Sequence, residues 1–482
     1  MRNILIPIHT NTYLAGMLPL ALALKKSGEF VVIFLFTRDY PTLQHDVQAC
    51  AKETMTVCFG MGVNGISELG SDHIPKVGAK APGWFGRLKK YVGLLKLPSL
   101  LFSLIFHRIL PAIRAWEIFE LSRQVRFVRG FIINHEISLL VLPSDNRYDL
   151  AAYVKVAHLE HIGVVVVPQF MAGPLEWAEY VWDKPVYQVN GFLNRMAITL
   201  YPRWGILHKG HSLVALPGDQ ILARELLGIA PPLPWVLHSG QADAIALESD
   251  AVRDYCIAEG LASDKLVVTG SVALDSMFDV MSARAHKKAI LCRKLGLPED
   301  LPILLTALPP DSLYMGRPEC DFKTYDDLVE FWCRSLMSVQ GYNHIVVLHP
   351  SVSYEDLKHI EKYGLKIVTE RTMNIIPLCD IFVASISSVI QWAIACAIPV
   401  LNYDVYRYRY TDYANVPGVL TMEEQQDFID ELIKLASNSG YYAKIKESQI
   451  GASERWGVLD GKAYERLHGL LDNVYQKYKK VR

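Results

Sequence analysis

The sequence predicts an α/β protein of two doubly wound, Rossmann-like domains facing each other across a cleft, on three observations. At 482 residues the chain is too long for one ordinary hydrophobic core. Its strand-like runs are continuous apolar stretches, as strands buried on both faces require. These runs alternate with helical patterns in two successive series that meet near residue 290.

The first series opens with the strand Ile4–Ile8, the loop His9–Tyr13 and a helix with apolar residues from Leu14 to Leu24. Gly28 stops that helix before the strand Phe30–Phe36. The alternation returns at Leu139–Leu142 (strand), Asp149–His161 (helix) and Gly163–Val167 (strand). Strands at Ala244–Leu247 and Leu266–Val268 flank the helical Asp250–Glu259. Asp275–Leu295 reads as one charged helix, and the proline-bearing Leu297–Pro302 as a joint. The second series has strands at Ile303–Thr306, His344–Leu348, Lys366–Val368, Ile381–Ala384 and Pro399–Asn402. Its helices are Tyr325–Ser338, Tyr354–Tyr363 and Ser388–Ala397, and the last forty residues read as charged helices with a Lys-rich tail. The expected division is an acceptor domain over 1–280, a linker over 281–300, a nucleotide-binding domain over 301–450 and terminal helices over 451–482.

Hydrophobic residues at 51% and charged residues at 21% exclude a mostly disordered chain. Eight cysteines are scattered without a C-x-x-C pair, so they read as small buried hydrophobes in a reducing cytoplasm. No secretory signal is expected at the start, and the uncharged apolar run Leu97–Phe106, cut off by His107-Arg108, is about half of what a bilayer span needs. A cytoplasmic protein is expected.

The motifs that carry chemistry sit at strand ends in the second half. The run His344–Leu348 delivers His349-Pro350-Ser351, and Ile381–Ala384 delivers Ser385-Ile386-Ser387-Ser388 into the start of the next helix. Ligands of open α/β sheets bind beyond the carboxyl ends of strands, where helix N–H groups suit a phosphate. Serine hydroxyls and an imidazole add donors to the same anion. The residues at these strand ends also have an ordinary reading, Ser387 as a helix N-cap and His349 as a loop histidine.

The stretch from Ile345 to Asp404 resembles the nucleotide half of glycosyltransferases of the B fold (GT-B). Bacterial sialyltransferases and Kdo transferases carry a His-Pro and a Ser-Ser motif, matched here by His349-Pro350 and Ser387-Ser388. CDP-glycerol glycerophosphotransferases are similar, with a later Pro and aromatic-Asp pair matched by Pro399 and Tyr403-Asp404. The resemblance implies a cytidine nucleotide whose phosphate meets His349, Ser387 and Ser388, with Pro350, Ser385 and Thr306 beside them. Such transferases place a ribose-binding Glu in the helix after the serines, where Gln391 is the nearest polar residue. UDP-GlcNAc 2-epimerases share the wider pattern, including Val268-Thr269-Gly270, but they open with Gly-Thr-Arg-Pro-Glu where this chain has Ile8-His9-Thr10-Asn11-Thr12.

A hydroxyl attacking an anomeric carbon benefits from a general base. Asp145, past the strand Leu139–Pro143, and His9, past the first strand, are the candidates, with Glu176 and Glu179 in reserve. Asp149 reads better as a first-turn acid of its helix. No Asp-x-Asp is present, so a metal-independent site with no cofactor beyond the nucleotide-sugar is expected.

Charge is segregated. Between Lys76 and Arg129 eleven Lys and Arg face two acids, in a chain of net charge −1. Trp84, Phe85, Tyr91 and several leucines interleave with these cations. The segment reads as a peripheral contact with the anionic inner membrane face, as a solvated helix pair, or as a groove for an anionic glycan. No nucleic-acid motif accompanies it. The expected activity is sugar transfer from a CMP-linked donor to a cell-surface polysaccharide or its lipid-linked precursor. The alternatives are a UDP-sugar transferase or 2-epimerase-like enzyme, and a silent nucleotide-sugar-binding scaffold.

Overall fold

The structure, a computed structural model, describes residues 1–63, 110–146, 150–168, 173–313, 319–349, 352 and 354–480. Asp149, Pro350, Ser351 and most of the basic segment, including Trp84, Phe85 and Tyr91, lie outside the described residues. The chain forms two compact units. The first comprises Met1–Ala246, Glu259–Leu266 and Gly469–Arg482, and the second Leu247–Ala258 and Val267–His468.

The first unit is built on strands β1 (Arg2–Ile8), β2 (Phe30–Arg38), β3 (Thr56–Gly62), β4 (Ile137–Leu142) and β5 (Gly163–Val166). A small antiparallel hairpin, β6 (Gly205–His208) and β7 (His211–Val214), precedes β8 (Ala244–Leu247) and β9 (Leu266–Val268). The large sheet runs β3-β2-β1-β4-β5-β8-β9. Ile4, Leu5, Ile6 and Ile8 of β1 are all fully buried, so successive residues on opposite faces are both covered. The β1–β2 register, Ile4 opposite Val32 through Ile8 opposite Phe36, lines up two such runs. At the start of β5 Gly163 leaves space that Val474 fills, since a Cβ there would come 2.5 Å from its Cγ1.

The second unit carries β10 (Ile303–Ala307), β11 (Asn343–Val347), β12 (Lys366–Val368), β13 (Ile381–Ala384), β14 (Val400–Tyr403) and β15 (Val419–Met422), ordered β12-β11-β10-β13-β14-β15 and parallel throughout. Its two faces sort by alternation. Ile303, Leu305, Phe382 and Ala384 join one apolar cluster, while Leu304, Ile381 and Val383 join the other with Trp332, Tyr403 and Phe428. Tyr403 and Phe428 stack at 4.7 Å between ring centroids.

Four strands escape the sequence pattern. β3 contains two glycines, the hairpin strands are four residues each, and β15 is a half-exposed edge, so none shows a long apolar run. The single helix expected over Asp275–Leu295 is two helices, Val272–Ser282 and Arg284–Leu295, broken at Ala283. The helix expected over Ser388–Ala397 is only Ile390–Ala395, because Ser388 and Val389 form a turn. All eight cysteines are free, and Cys320 alone among them is not buried.

Gly418, at φ +84°, leads into β15, and a Cβ there would lie 2.3 Å from Gln449 Cβ. Gly418→Ala combines a left-handed backbone with overpacking, so urea unfolding should show a loss of about 2–4 kcal/mol.

Candidate functional site

A parallel sheet opens its ligand crevice where the strand order reverses. In the second unit the chain steps from β10 outward to β11 and β12, then returns to the other side of β10 with β13. The reversal therefore falls between β10 and β13, and the loops past Ala307 and Ala384 flank it.

The loop past β13 is Ser385–Ser388. Ile386 has φ +41°, a left-handed backbone that is rare for a β-branched residue. Its N–H donates to Asn402 Oδ1 at 2.8 Å, and Asn402 Nδ2 donates to Thr421 Oγ1 at 3.3 Å. Ser385 Oγ is buried with no hydrogen-bond partner among the described residues. Ser387 carbonyl accepts the Ile390 N–H at 3.0 Å, which closes the turn. The serines thus belong to a turn ahead of a short helix, and they owe their orientation to side chains, not to a long helix dipole.

The neighbouring loops frame this turn. Past β14, the buried Asp404 accepts the N–H groups of Tyr408 (3.0 Å) and Arg409 (2.6 Å), and burial pushes its carboxyl above the usual range. Arg407 and Arg409 are also left-handed, and each is held by acids: Arg407 by Asp321 (3.2 Å) and Glu424 (3.1 Å), Arg409 by Glu319 (2.6 Å) and Glu423 (3.1 Å). Tyr406 hydroxyl donates to Pro310 carbonyl at 2.6 Å and accepts the Ser312 N–H at 3.3 Å, linking this loop to the one past β10. His349 follows β11 at the surface, where nearby protein lowers its imidazole pKa by desolvation.

The other nucleotide-site candidates are committed elsewhere. Thr306 is fully buried, its hydroxyl donating to Val383 carbonyl (3.1 Å) and accepting from Trp332 Nε1 (2.9 Å), which stitches the core. Gln391 Nε2 donates to Glu248 Oε2 at 2.8 Å. Glu248 also accepts from Trp392 Nε1 (3.1 Å) and from the Ser271 hydroxyl, and burial pushes its carboxyl above the usual range. An acid thus does meet the helix after the serines, but it comes from the end of β8. Sequence reasoning missed it because 143 residues separate it from Gln391.

In the first unit the order reverses between β1 and β4, so His9 and Asp145 follow the two strands at that reversal. His9 is buried, edge-on to Tyr153 with centroids 6.5 Å apart. Asp145 is fully buried. Its Oδ1 accepts from Ser239 N–H (2.5 Å) and Oγ (3.1 Å), and its Oδ2 from the N–H groups of Gln241 (2.7 Å) and Ala242 (3.1 Å). With Ser144 donating to Leu237 carbonyl (2.6 Å) and Asn146 to Val236 carbonyl (2.7 Å), it clamps the loop that leads into β8. Glu176 caps its own helix through Gly173 N–H (2.8 Å), and Glu179 binds His208 and Lys209, each at 2.7 Å. Among the described residues no group of three or more His, Cys, Asp or Glu is arranged to hold a metal, and no helix is long and apolar enough to cross a membrane.

Solved structures share this architecture. A putative UDP-N-acetylglucosamine 2-epimerase from Listeria monocytogenes aligns over 99% of this chain and 97% of its own, with a TM-score of 0.52 and 12% identity. The calicheamicin glycosyltransferase CalG4 aligns over 98% of both chains, with a TM-score of 0.51 and 11% identity. The chain has the GT-B fold. UDP-GlcNAc 2-epimerase from Neisseria meningitidis, bound to UDP-GlcNAc, aligns over 98% of this chain and all of its own at TM-score 0.52 and 12% identity. No protein-family profile and no curated protein matches the chain in sequence. None of these three GT-B neighbours is a sialyltransferase or a Kdo transferase, so the cytidine resemblance rests on the short motifs alone.

Glu248 has a folded-state pKa above its unfolded value, so its contribution to stability is complete below about pH 4.3 and is lost as pH rises through the raised value. Glu248→Gln keeps the size and removes the titration. Urea unfolding across pH 4 to 8 should show a shallower decline in the variant.

Proposed function

We propose that this protein is a sugar-nucleotide enzyme that binds the nucleotide phosphate at the β10/β13 reversal of its second unit. The observation that carries this reading is the Ser385–Ser388 turn, held open by Asn402 where the strand order reverses. In the favoured form it is a glycosyltransferase using a cytidine-nucleotide donor, supported by the His349-Pro350 and Ser387-Ser388 motifs. Charge accumulates on a departing nucleotide, so donors at that phosphate lower the barrier. His9 is proposed as the acid–base group, because four hydrogen bonds already occupy Asp145. The proposed acceptor is a cell-surface glycan or its lipid-linked precursor, approached from the cytoplasmic face. Support for an anionic surface as partner is the excess of cations over residues 76–129.

A second reading, UDP-linked chemistry of the transferase or 2-epimerase kind, is favoured by the two structural neighbours that are UDP-GlcNAc 2-epimerases, one of them putative. Thermal stabilisation separates the two, since a ligand that binds only the native state raises Tm. CMP or CDP should raise Tm more than UDP at equal concentration. The reverse order would transfer support to UDP chemistry, and no response to any of the three would favour a silent scaffold.

His349→Ala should weaken nucleotide binding by about tenfold or more, the value of a hydrogen bond to a charged group. Desolvation lowers the pKa of this imidazole, and its protonated form attracts a phosphate more strongly than the neutral form. Nucleotide affinity should therefore rise as pH falls from 7.5 through the region below about 6.5, and His349→Ala should flatten that rise in calorimetric titrations.

A further inference from the structure

We infer that Asn402 is a positioning residue that holds the phosphate-binding turn in its ligand-ready conformation, an inference resting on the nucleotide reading above. Ala384, the last residue of β13, is paired in register with Asn402 of β14. That register brings the Asn402 amide abreast of the first peptide groups past the strand, where its Oδ1 receives the Ile386 N–H at 2.8 Å. At φ +41° the Ile386 Cβ crowds its own carbonyl oxygen, so the turn left to itself favours the ordinary backbone region. A flip to negative φ would rotate the peptide groups on both sides of Ile386 and re-aim the N–H groups and hydroxyls of Ser387 and Ser388. The Asn402 hydrogen bond opposes that flip.

Two further facts suit an anion. Asn402 is nearly fully buried and neutral, and its amide nitrogen is turned toward Thr421 Oγ1, so it fixes the turn without placing negative charge beside it. Ser385 Oγ, one residue upstream, is buried with no hydrogen-bond partner among the described residues. Backbone strain of this kind persists only where surrounding structure over-determines it, and it concentrates at ligand sites.

The test uses Asn402→Ala, Asn402→Ala with Ile386→Gly, and Thr421→Val in the full chain. It reads CMP and UDP affinity by calorimetry, and amide exchange over residues 385–389 without ligand. Asn402→Ala should speed exchange in the turn and weaken the preferred nucleotide about tenfold. Glycine at 386 adopts positive φ without the Cβ clash, so the double variant should recover affinity to within about threefold of wild type. Thr421→Val removes the other partner of the same buried amide and should bind like wild type. Recovery by glycine is a result that a general loss of packing would not give. Should Asn402→Ala fail to fold, Asn402→Leu, which keeps the side-chain volume and removes the acceptor, takes its place in both backgrounds. Wild-type affinity in Asn402→Ala, no recovery in the double variant, or an equal loss in Thr421→Val would overturn the inference alone. If wild type binds neither nucleotide, the proposed function fails and the inference with it.

Discussion

A parallel strand covered on both faces can place polar chemistry only beyond its ends. In β1, Ile4, Leu5, Ile6 and Ile8 are fully buried, and in β13 all four residues are. Each such strand accepts apolar side chains along its length, and its backbone groups are used by its neighbours. Polar side chains within such strands, Thr306 and Asn402 among them, are buried and hydrogen-bonded internally, so polar groups open to a ligand lie past the strand ends. The reversals of order at β1/β4 and β10/β13 decide which of those loops have room for a ligand.

Loops at such ends have backbone groups of their own to satisfy, and this molecule does so with buried side chains. Asp145 receives four hydrogen bonds from Ser239, Gln241 and Ala242. Asp404 receives two from Tyr408 and Arg409, and Asn402 one from Ile386. Removing the Asp145 acceptors leaves the buried N–H groups of Ser239 and Ala242 without a partner, at a cost of about 1–3 kcal/mol per group, and the half-buried Tyr408 and Ile386 lose less. The acids nearest the candidate site therefore do much of their work on the loops. In each unit separately, these side chains act on loop backbone past the strand ends.

Glu248 shows the same economy with a different outcome. It gathers Ser271, Gln391 and Trp392 around one carboxyl, and burial favours the neutral form. Gln391 is thereby spent on an internal contact, and the polar residue that composition would offer to a ribose is turned toward protein.

Sequence periodicity located the strands well wherever burial is two-sided. Ala244–Leu247, Leu266–Val268, Lys366–Val368 and Ile381–Ala384 begin and end in the structure where the apolar runs do. It failed where the signal is weak for physical reasons: a glycine-bearing strand at Thr56–Gly62, a four-residue hairpin, and an edge strand at Val419–Met422. The helix after the serines was overextended because apolar residues continue through a turn as readily as through a helix. By itself, then, the sequence determined the alternation of strands and helices, the two-part division of the chain, and the placing of His349 and the serines at strand ends, since all of these follow from local periodicity. Only the tertiary structure decided which polar groups are spent on holding loops and which are left facing out. Asp145 with Ser239, Gln391 with Glu248 and Asn402 with Ile386 are contacts between residues far apart in the chain, and no local pattern records them.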